Sequence, residues 1–306
     1  MLKISFTDFW NGFDQNNNLI TNIIKELFNS NFKITSPRKA DVCFVTICGK
    51  NHKKVIKKFR EKCILFLGEN IRPNKFNVPF SLTSDFDSYN GTNFRLPLWY
   101  LEIDWYKTNI GVIKKDEIEK KLINYGTFTS DDFAKRKDCI TIFNNTEGTR
   151  MNILSKLKEI MYVEAYGKPF NKPLGPKINN SFLDILFPTY CEYKSKINKI
   201  KEFKFNLCPE NSLYPGYYTE KCFHAKISGS IPIYFADLYI YKDFRKESFI
   251  NIYDYLDFDD LSAYLFEIKN DFKLLAKLAN EPLLESMPNL DLIKNFLYKS
   301  INKIKR

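Results

Sequence analysis

The sequence predicts an α/β protein of two successive units, each a parallel sheet covered by helices on both faces. Its 306 residues suffice for two domains of ordinary size, each burying its own core. Short apolar runs alternate with amphipathic helical stretches from Leu2 to Leu67, and the alternation restarts at Cys139 after a charged segment. Apolar residues make up 44% of the chain and aromatics 16%, a globular composition. No run of about 18 apolar residues offers a transmembrane helix.

In the first unit, Leu2 to Phe6 alternates as a strand, and Leu19 to Phe28 puts Ile20, Ile23, Ile24 and Leu27 on one helical face. Val42 to Ile47 reads as a second strand, Lys53 to Lys62 as a helix with a basic outer side, and Cys63 to Leu67 as another buried strand. In an open parallel sheet, ligands gather beyond the carboxyl ends of the strands. Gly68-Glu69-Asn70-Ile71-Arg72-Pro73-Asn74 follows such an end, which places Glu69 where function is expected. Pro79 to Trp105 is aromatic and irregular, around Phe94-Arg95-Leu96-Pro97-Leu98-Trp99-Tyr100. Thr108 to Lys137 is charged and helical in character, with the domain boundary expected between Ser130 and Lys137. The expected domains are 1–135, 136–280 and a helical tail at 281–306.

In the second unit, Ile140 to Phe143 is a strand, and Asn144-Asn145-Thr146-Glu147-Gly148 a polar loop. The helix from Thr149 onward carries Met151, Ile153, Leu154, Leu157 and Ile160 as apolar residues. Arg150 falls at its start, where the helix dipole disfavours a cation unless it has an anion to bind. Tyr166 to Asn180 reads as a long loop, with a helix after it through Lys201. Phe205, Leu207 and Cys208 form a short strand, which Pro209 ends because its ring fixes φ and lacks an N–H. Asn211, Pro215 and Gly216 make a turn, Thr219 is an N-cap for a helix to about Ser228, and Gly229 stops that helix. Ile231 to Phe235 is the next buried strand. A turn of this kind aims backbone N–H groups and the positive end of the helix at one spot, which suits a phosphate. Phe249 to Ile252 reads as a last strand, with helices near Leu261 to Leu278 and Leu290 to Ile304.

Net charge is +11, which invites a nucleic-acid or membrane-surface partner. Yet 39 of the 47 basic residues are scattered lysines, a solvated surface with a modest attraction for anions such as nucleotides. The seven cysteines include no C-x-x-C pair, so neither a zinc site nor a disulfide framework is expected. Two histidines, His52 and His224, weigh against a His-dependent triad or a multi-His metal site. The opening MLKISFTDFW lacks a signal pattern, which predicts a cytoplasmic protein. Leu292, Ile293, Phe296, Leu297 and Ile301, interleaved with lysines, could give the last helix a peripheral membrane contact.

The run Phe205-Asn206-Leu207-Cys208, Glu210-Asn211, Gly216-Tyr217, Thr219-Glu220-Lys221 and Ile231-Pro232-Ile233-Tyr234 resembles the donor-binding signature of the α-1,3-fucosyltransferases, glycosyltransferase family 10. Lys242-Asp243-Phe244 and Ser248-Phe249-Ile250-Asn251 resemble the bacterial members. Asn144 to Arg150 is similar to the family's Asn-to-Arg motif. Gly68-Glu69-Asn70, Pro73-Asn74 and Arg95-Leu96-Pro97-Leu98 are similar to its N-terminal landmarks. Pro209 and Phe235-Ala236 depart from the pattern at positions that shape the pocket wall.

The resemblance implies a GT-B architecture, two Rossmann-like domains facing across a cleft, with acceptor on the first and GDP-fucose on the second. It implies inverting transfer of L-fucose from GDP-β-L-fucose to a hydroxyl, O-3, of an N-acetylglucosamine or glucose unit of a glycan. Glu69 matches the catalytic base, and Arg150 and Lys221 the contacts to the diphosphate. Glu220 would lie near the fucose or ribose hydroxyls and Tyr217 would line the donor pocket, with Asn144, Glu210 and Asn211 as further donor-binding positions. No Asp-x-Asp motif appears and the two cations could stand in for a metal, so no metal or other cofactor is expected to be required. A GT-B transferase using another nucleotide sugar meets the same phosphate chemistry, and a nucleic-acid-binding protein would instead show strongly salt-dependent oligonucleotide binding.

Overall fold

The computed structural model describes residues 1–174 and 195–306. Cys191, and the parts of the expected loop and helix between 175 and 194, lie outside the described residues. The chain divides into two compact units, Met1–Ile110 with Pro288–Arg306, and Gly111–Met287.

The first unit is built on strands β1 (Leu2–Thr7), β2 (Phe32–Ile34), β3 (Val42–Val45), β4 (Cys63–Phe66), β5 (Phe80–Thr83) and β6 (Asn93–Arg95). Their order is β2-β1-β3-β4-β5-β6, and every pairing is parallel. The runs VCFV and CILF are buried along their whole length, as strands covered on both faces must be. Helix α1 (Leu19–Leu27) starts at Asn18, whose side-chain oxygen accepts from Thr21 N at 2.9 Å, and buries Leu19, Ile20, Ile23 and Ile24. Helix α2 (His52–Phe59) connects β3 to β4.

Strands β5 and β6 lie within the stretch expected to be irregular from Pro79 to Trp105. Their polar residues hid them. Asn93 is buried and accepts from Ser81 Oγ at 2.8 Å and Thr83 Oγ1 at 3.0 Å, so polar side chains satisfy one another inside the sheet.

The second unit holds β7 (Lys137–Ile142), β8 (Val163–Tyr166), β9 (Phe203–Leu207), β10 (Ile231–Tyr234) and β11 (Ile250–Asn251). The order is β8-β7-β9-β10-β11, again parallel throughout. Short α3 (Ser130–Ala134), α4 (Gly148–Ile160), α5 (Glu220–Ile227), α6 (Phe258–Ile268) and α7 (Phe272–Asn280) cover the sheet. Phe205, Leu207, Ile231 and Ile233 are fully buried and share a core with Leu154, Leu157, Leu265 and Leu275. Edge strand β8 carries a buried Glu164, which broke the apolar pattern. Lys137 at 2.7 Å, Lys172 at 3.1 Å and Tyr166 Oη at 2.7 Å hold its carboxylate.

The units meet at Ile110/Gly111, earlier in the chain than the expected 135/136 boundary. The charged segment after it packs on the second unit: Asn280 accepts from Gly126 N through its carbonyl and pairs with Phe128 through its side chain, each at 2.8 Å. The terminal helix α8 (Asp291–Lys305) is no separate tail, since it returns to the first unit. Ile293, Leu297 and Ile301 are buried there, and Phe296 lies 6.0 Å from the Phe80 ring and 5.4 Å from that of Phe94. Of the apolar face expected to offer a membrane contact, Ile293, Phe296, Leu297 and Ile301 are thus used in packing, while Leu292 stays exposed. Among the described residues, no helix is long and apolar enough to cross a membrane.

Helix α5 ends in a Schellman motif: Ser230 N donates to Ala225 O at 3.1 Å and Gly229 N to Lys226 O at 2.9 Å. Gly229 has φ +72°, and a Cβ there would fall 2.1 Å from the Phe128 ring. On the same helix Lys226 is buried, donating to Ser248 O at 3.1 Å and Leu278 O at 2.9 Å. Burial pushes its ammonium down to about 7, against the pull of Cys222 and Glu281. The folded state therefore releases a proton that an unfolded lysine keeps to about pH 10.4, and stability from this group rises with pH across that window. Between pH 7 and 8.5 the wild-type Tm should rise relative to that of Lys226→Met; parallel Tm curves would exclude this role.

Candidate functional site

In the second sheet the winding direction reverses between β7 and β9, and the loops leaving these two strands meet at that switch point. The loop after β7 is exposed from Asn144 to Thr149 and leads into α4. The loop after β9 runs through a Pro-Gly turn, closed by Tyr217 N donating to Tyr214 O at 3.0 Å, with Gly216 at φ +93°. It then enters α5. Two helix N-termini and their backbone N–H groups thus belong to the same end of the sheet.

Arg150, in the first turn of α4, is only 3% exposed. Its Nε donates to Glu210 O at 3.2 Å and Nη2 to Pro209 O at 3.0 Å, with the guanidinium 5.5 Å from the Phe143 ring. Carbonyl oxygens of the β9 loop hold this cation at its helix start. Burial lowers the guanidinium from its usual value against the pull of Glu210 and Glu147, and arginine stays charged.

Glu210 organises the start of α5. One carboxylate oxygen accepts from Thr219 N at 2.8 Å, Thr219 Oγ1 at 2.7 Å and the Tyr234 hydroxyl; the other accepts from Lys221 Nζ at 3.0 Å. Thr219 occupies the expected N-cap position, but its hydroxyl serves Glu210 and Lys221 instead of a helix N–H. Burial opposes the Lys221 charge, and the Glu210 and Glu220 carboxylates outweigh it and raise the ammonium. Glu220 is held well below the usual carboxylate range because Lys221 and Lys196 outweigh its desolvation. Lys196 lies 3.7 Å from Glu220, a third cation the sequence pattern did not single out. Tyr217 is buried beside this cluster and Asn211 is half-buried on the same loop. Asn144 Oδ1 accepts from Lys168 N at 3.1 Å and so joins the loops after β7 and β8.

Glu69 belongs to the first unit, exposed just beyond β4. Burial, together with the Glu69 and Asp8 carboxylates, raises the nearby Cys48 thiol, so all three share the carboxyl end of this sheet. Asp8, with φ 58°, accepts from His52 N at 2.5 Å and lies 3.1 Å from His52 Nδ1. It therefore caps α2 from outside the helix. The sequence reading missed this pair because 44 residues separate its members.

Two parallel α/β units, the second gathering buried cations and helix N-termini at its switch point, define a doubly wound protein built to meet an anion. The family model for the glycosyltransferase family 10 (fucosyltransferase) C-terminal region matches residues 134–278. That for the α-(1,3)-fucosyltransferase FucT N-terminal domain matches residues 4–102. The chain belongs to glycosyltransferase family 10. It is 25% identical over 286 residues to the α-(1,3)-fucosyltransferase FucT of Helicobacter pylori, covering 86% of this chain and 56% of that one. It is 31% identical over 174 residues to the putative fucosyltransferase R654 of Acanthamoeba polyphaga mimivirus, covering 56% and 28%. The chain thus spans about half or less of the length of these relatives. A crystal structure of an α1,3-fucosyltransferase superposes with a TM-score of 0.69 at 20% identity, over 98% of this chain and 90% of that one. The fold is of GT-B type, with two Rossmann-like domains.

Proposed function

We propose that the protein transfers L-fucose from GDP-β-L-fucose to O-3 of an N-acetylglucosamine or glucose unit of a glycan, with inversion at the fucose carbon. The observation that carries this reading is the gathering of Arg150, Lys221 and the N-termini of α4 and α5 at one end of the second sheet. The two fucosyltransferase family models support the identity of the sugar.

In this reading the acceptor oxygen attacks C1 of fucose from the face opposite the diphosphate. The C1–O bond breaks, its electron pair leaves with GDP, and the β-linked donor becomes an α-linked product. Arg150 and Lys221 favour the diphosphate most as its charge grows. Arg150 also ties the β9 loop to α4, and Glu210, both of whose oxygens are engaged by protein donors, positions Lys221. Tyr217, Asn211 and Asn144 shape the donor pocket. Glu220 offsets positive charge on the sugar ring, and Glu69 takes the acceptor proton. Since two cations serve the leaving group, the reaction requires no resident metal.

Calorimetric titration tests the donor. GDP-fucose is expected to bind more tightly than GDP-mannose or UDP-sugars. A tighter fit to a UDP-sugar would assign the site to a different GT-B transferase, and tight oligonucleotide binding without GDP-fucose binding would point to a nucleic-acid partner.

A further inference from the structure

Beyond the carboxyl ends of β1 and β3 the first unit holds a polar centre built on Asp8 and His52. Asp8 directly follows β1, with φ 58°, and its carbonyl accepts from Cys48 N at 3.0 Å. Its carboxylate is 5% exposed and engaged at both oxygens. Oδ2 accepts from His52 N at 2.5 Å and faces His52 Nδ1 at 3.1 Å, and Oδ1 accepts from Asn51 Nδ2 at 3.3 Å. Gly49 permits this close approach, since a Cβ there would fall 2.5 Å from Asp8 Oδ1.

The same contacts orient the imidazole. Nδ1 lies 3.1 Å from Asp8 Oδ2 and 3.1 Å from Gly49 O. Both neighbours are acceptors, so Nδ1 carries the proton and Nε2 is the accepting nitrogen of the neutral ring. Capping α2 uses only the carboxylate and the His52 backbone N–H. The further bond to the ring is the arrangement in which a carboxylate fixes the tautomer and raises the basicity of the far nitrogen. Among the described residues Nε2 has no protein partner, and it is not fully buried. Its place relates it to the residue assigned as base. Strand β3 lies between β1 and β4, and Glu69 stands just beyond β4. Neighbouring strands are spaced by about 4.8 Å, so the helix start after β3 and Glu69 are one to two spacings, about 5–10 Å, apart. The Cys48 thiol, on the loop between them, feels both the Glu69 and the Asp8 carboxylates.

We propose that His52 is a specificity-determining residue of the acceptor site: its Nε2 accepts a hydrogen bond from a hydroxyl of the sugar linked to the one that Glu69 deprotonates, and Asp8 positions the ring. The inference rests on the fucosyl transfer argued above. The separation from Glu69 is more than that between neighbouring hydroxyls of one ring, and it suits hydroxyls on two linked rings. The chemistry agrees, since a sugar hydroxyl donates readily to a neutral imidazole nitrogen held in one tautomer.

The test uses the full chain with its histidine rings labelled with nitrogen-15. The chain has two histidines, and His224, buried in the second unit, is the internal control. Added N-acetyllactosamine should move the His52 Nε2 resonance and leave those of His224 in place. No shift with N-acetyllactosamine, lacto-N-biose or lactose would overturn the proposal. A shift in protein that transfers no fucose upholds the binding assignment and sinks the transfer reading alone. Turnover gives a second readout. Asparagine places its amide nitrogen near the Nδ1 position and glutamine its amide near that of Nε2, so His52→Asn keeps the bond to Asp8 and loses the acceptor. His52→Asn should lower kcat/KM for N-acetyllactosamine about tenfold, chiefly through KM, and His52→Gln should recover part of it. Of the acceptors deoxygenated singly on the galactose, one should be used about tenfold less well by the wild type, while His52→Asn uses it as well as the full acceptor. Losses that multiply, or wild-type kcat/KM in His52→Asn, would make His52 a structural residue only and overturn the proposal.

Discussion

Replacing Glu69 by alanine is expected to lower kcat for fucosyl transfer by about 10²–10⁴-fold, the range for loss of a general base. GDP affinity should stay near that of the wild type, because Glu69 belongs to the first unit and the residues proposed to contact the diphosphate belong to the second. Stability should change little, since Glu69 is exposed and its carbonyl, not its carboxylate, makes the local contact to Ile71 N at 2.7 Å. Rapid-mix kinetics with GDP titration separates these quantities. Retention of most of the transfer rate in Glu69→Ala would remove Glu69 from the base role.

Substitutions at Arg150 and Lys221 should act on binding, turnover and stability together. Arg150→Ala leaves the carbonyls of Pro209 and Glu210 without their buried donors, a cost of about 1–3 kcal/mol for each group left unsatisfied. Lys221→Ala strands the Glu210 carboxylate, 2% exposed, and losing one partner of a buried pair costs about 3–5 kcal/mol. In both variants kcat/KM should fall by about 10²–10³-fold, as it does when a preorganised donor to a developing charge is removed. The double variant Glu210→Gln with Lys221→Met separates the two effects. Glutamine keeps an acceptor for Thr219 and Tyr234 while removing the unpaired charge, so thermal stability should recover and transfer should not. Recovery of both would make Lys221 a structural cation only.

The two-unit alternation was legible because parallel strands buried on both faces read as short apolar runs, as VCFV and CILF do. The strands that escaped notice carry polar residues whose partners are distant in sequence: Asn93 with Ser81 and Thr83, and Glu164 with Lys137. The unit division at Ile110/Gly111 was not legible because the charged segment is held by Asn280, 152 residues away from Phe128. At the candidate site, the family-like spacing singled out Arg150, Glu210 and Lys221, but not their interplay. The bonds from Arg150 to the Pro209 and Glu210 carbonyls use backbone atoms, which no residue pattern reveals. Lys196 and the Asp8–His52 pair carry no local motif, and only folding brings them into place.

The most direct measurement is incubation of the full chain with GDP-fucose and a panel of N-acetyllactosamine, lacto-N-biose and glucose-containing acceptors, with the product linkage read by NMR. The predicted result is release of GDP in step with an α-linked fucose on O-3 of at least one acceptor. Folded protein that gives no fucosylated product from the panel, or that turns over a different nucleotide sugar in place of GDP-fucose, would contradict the account.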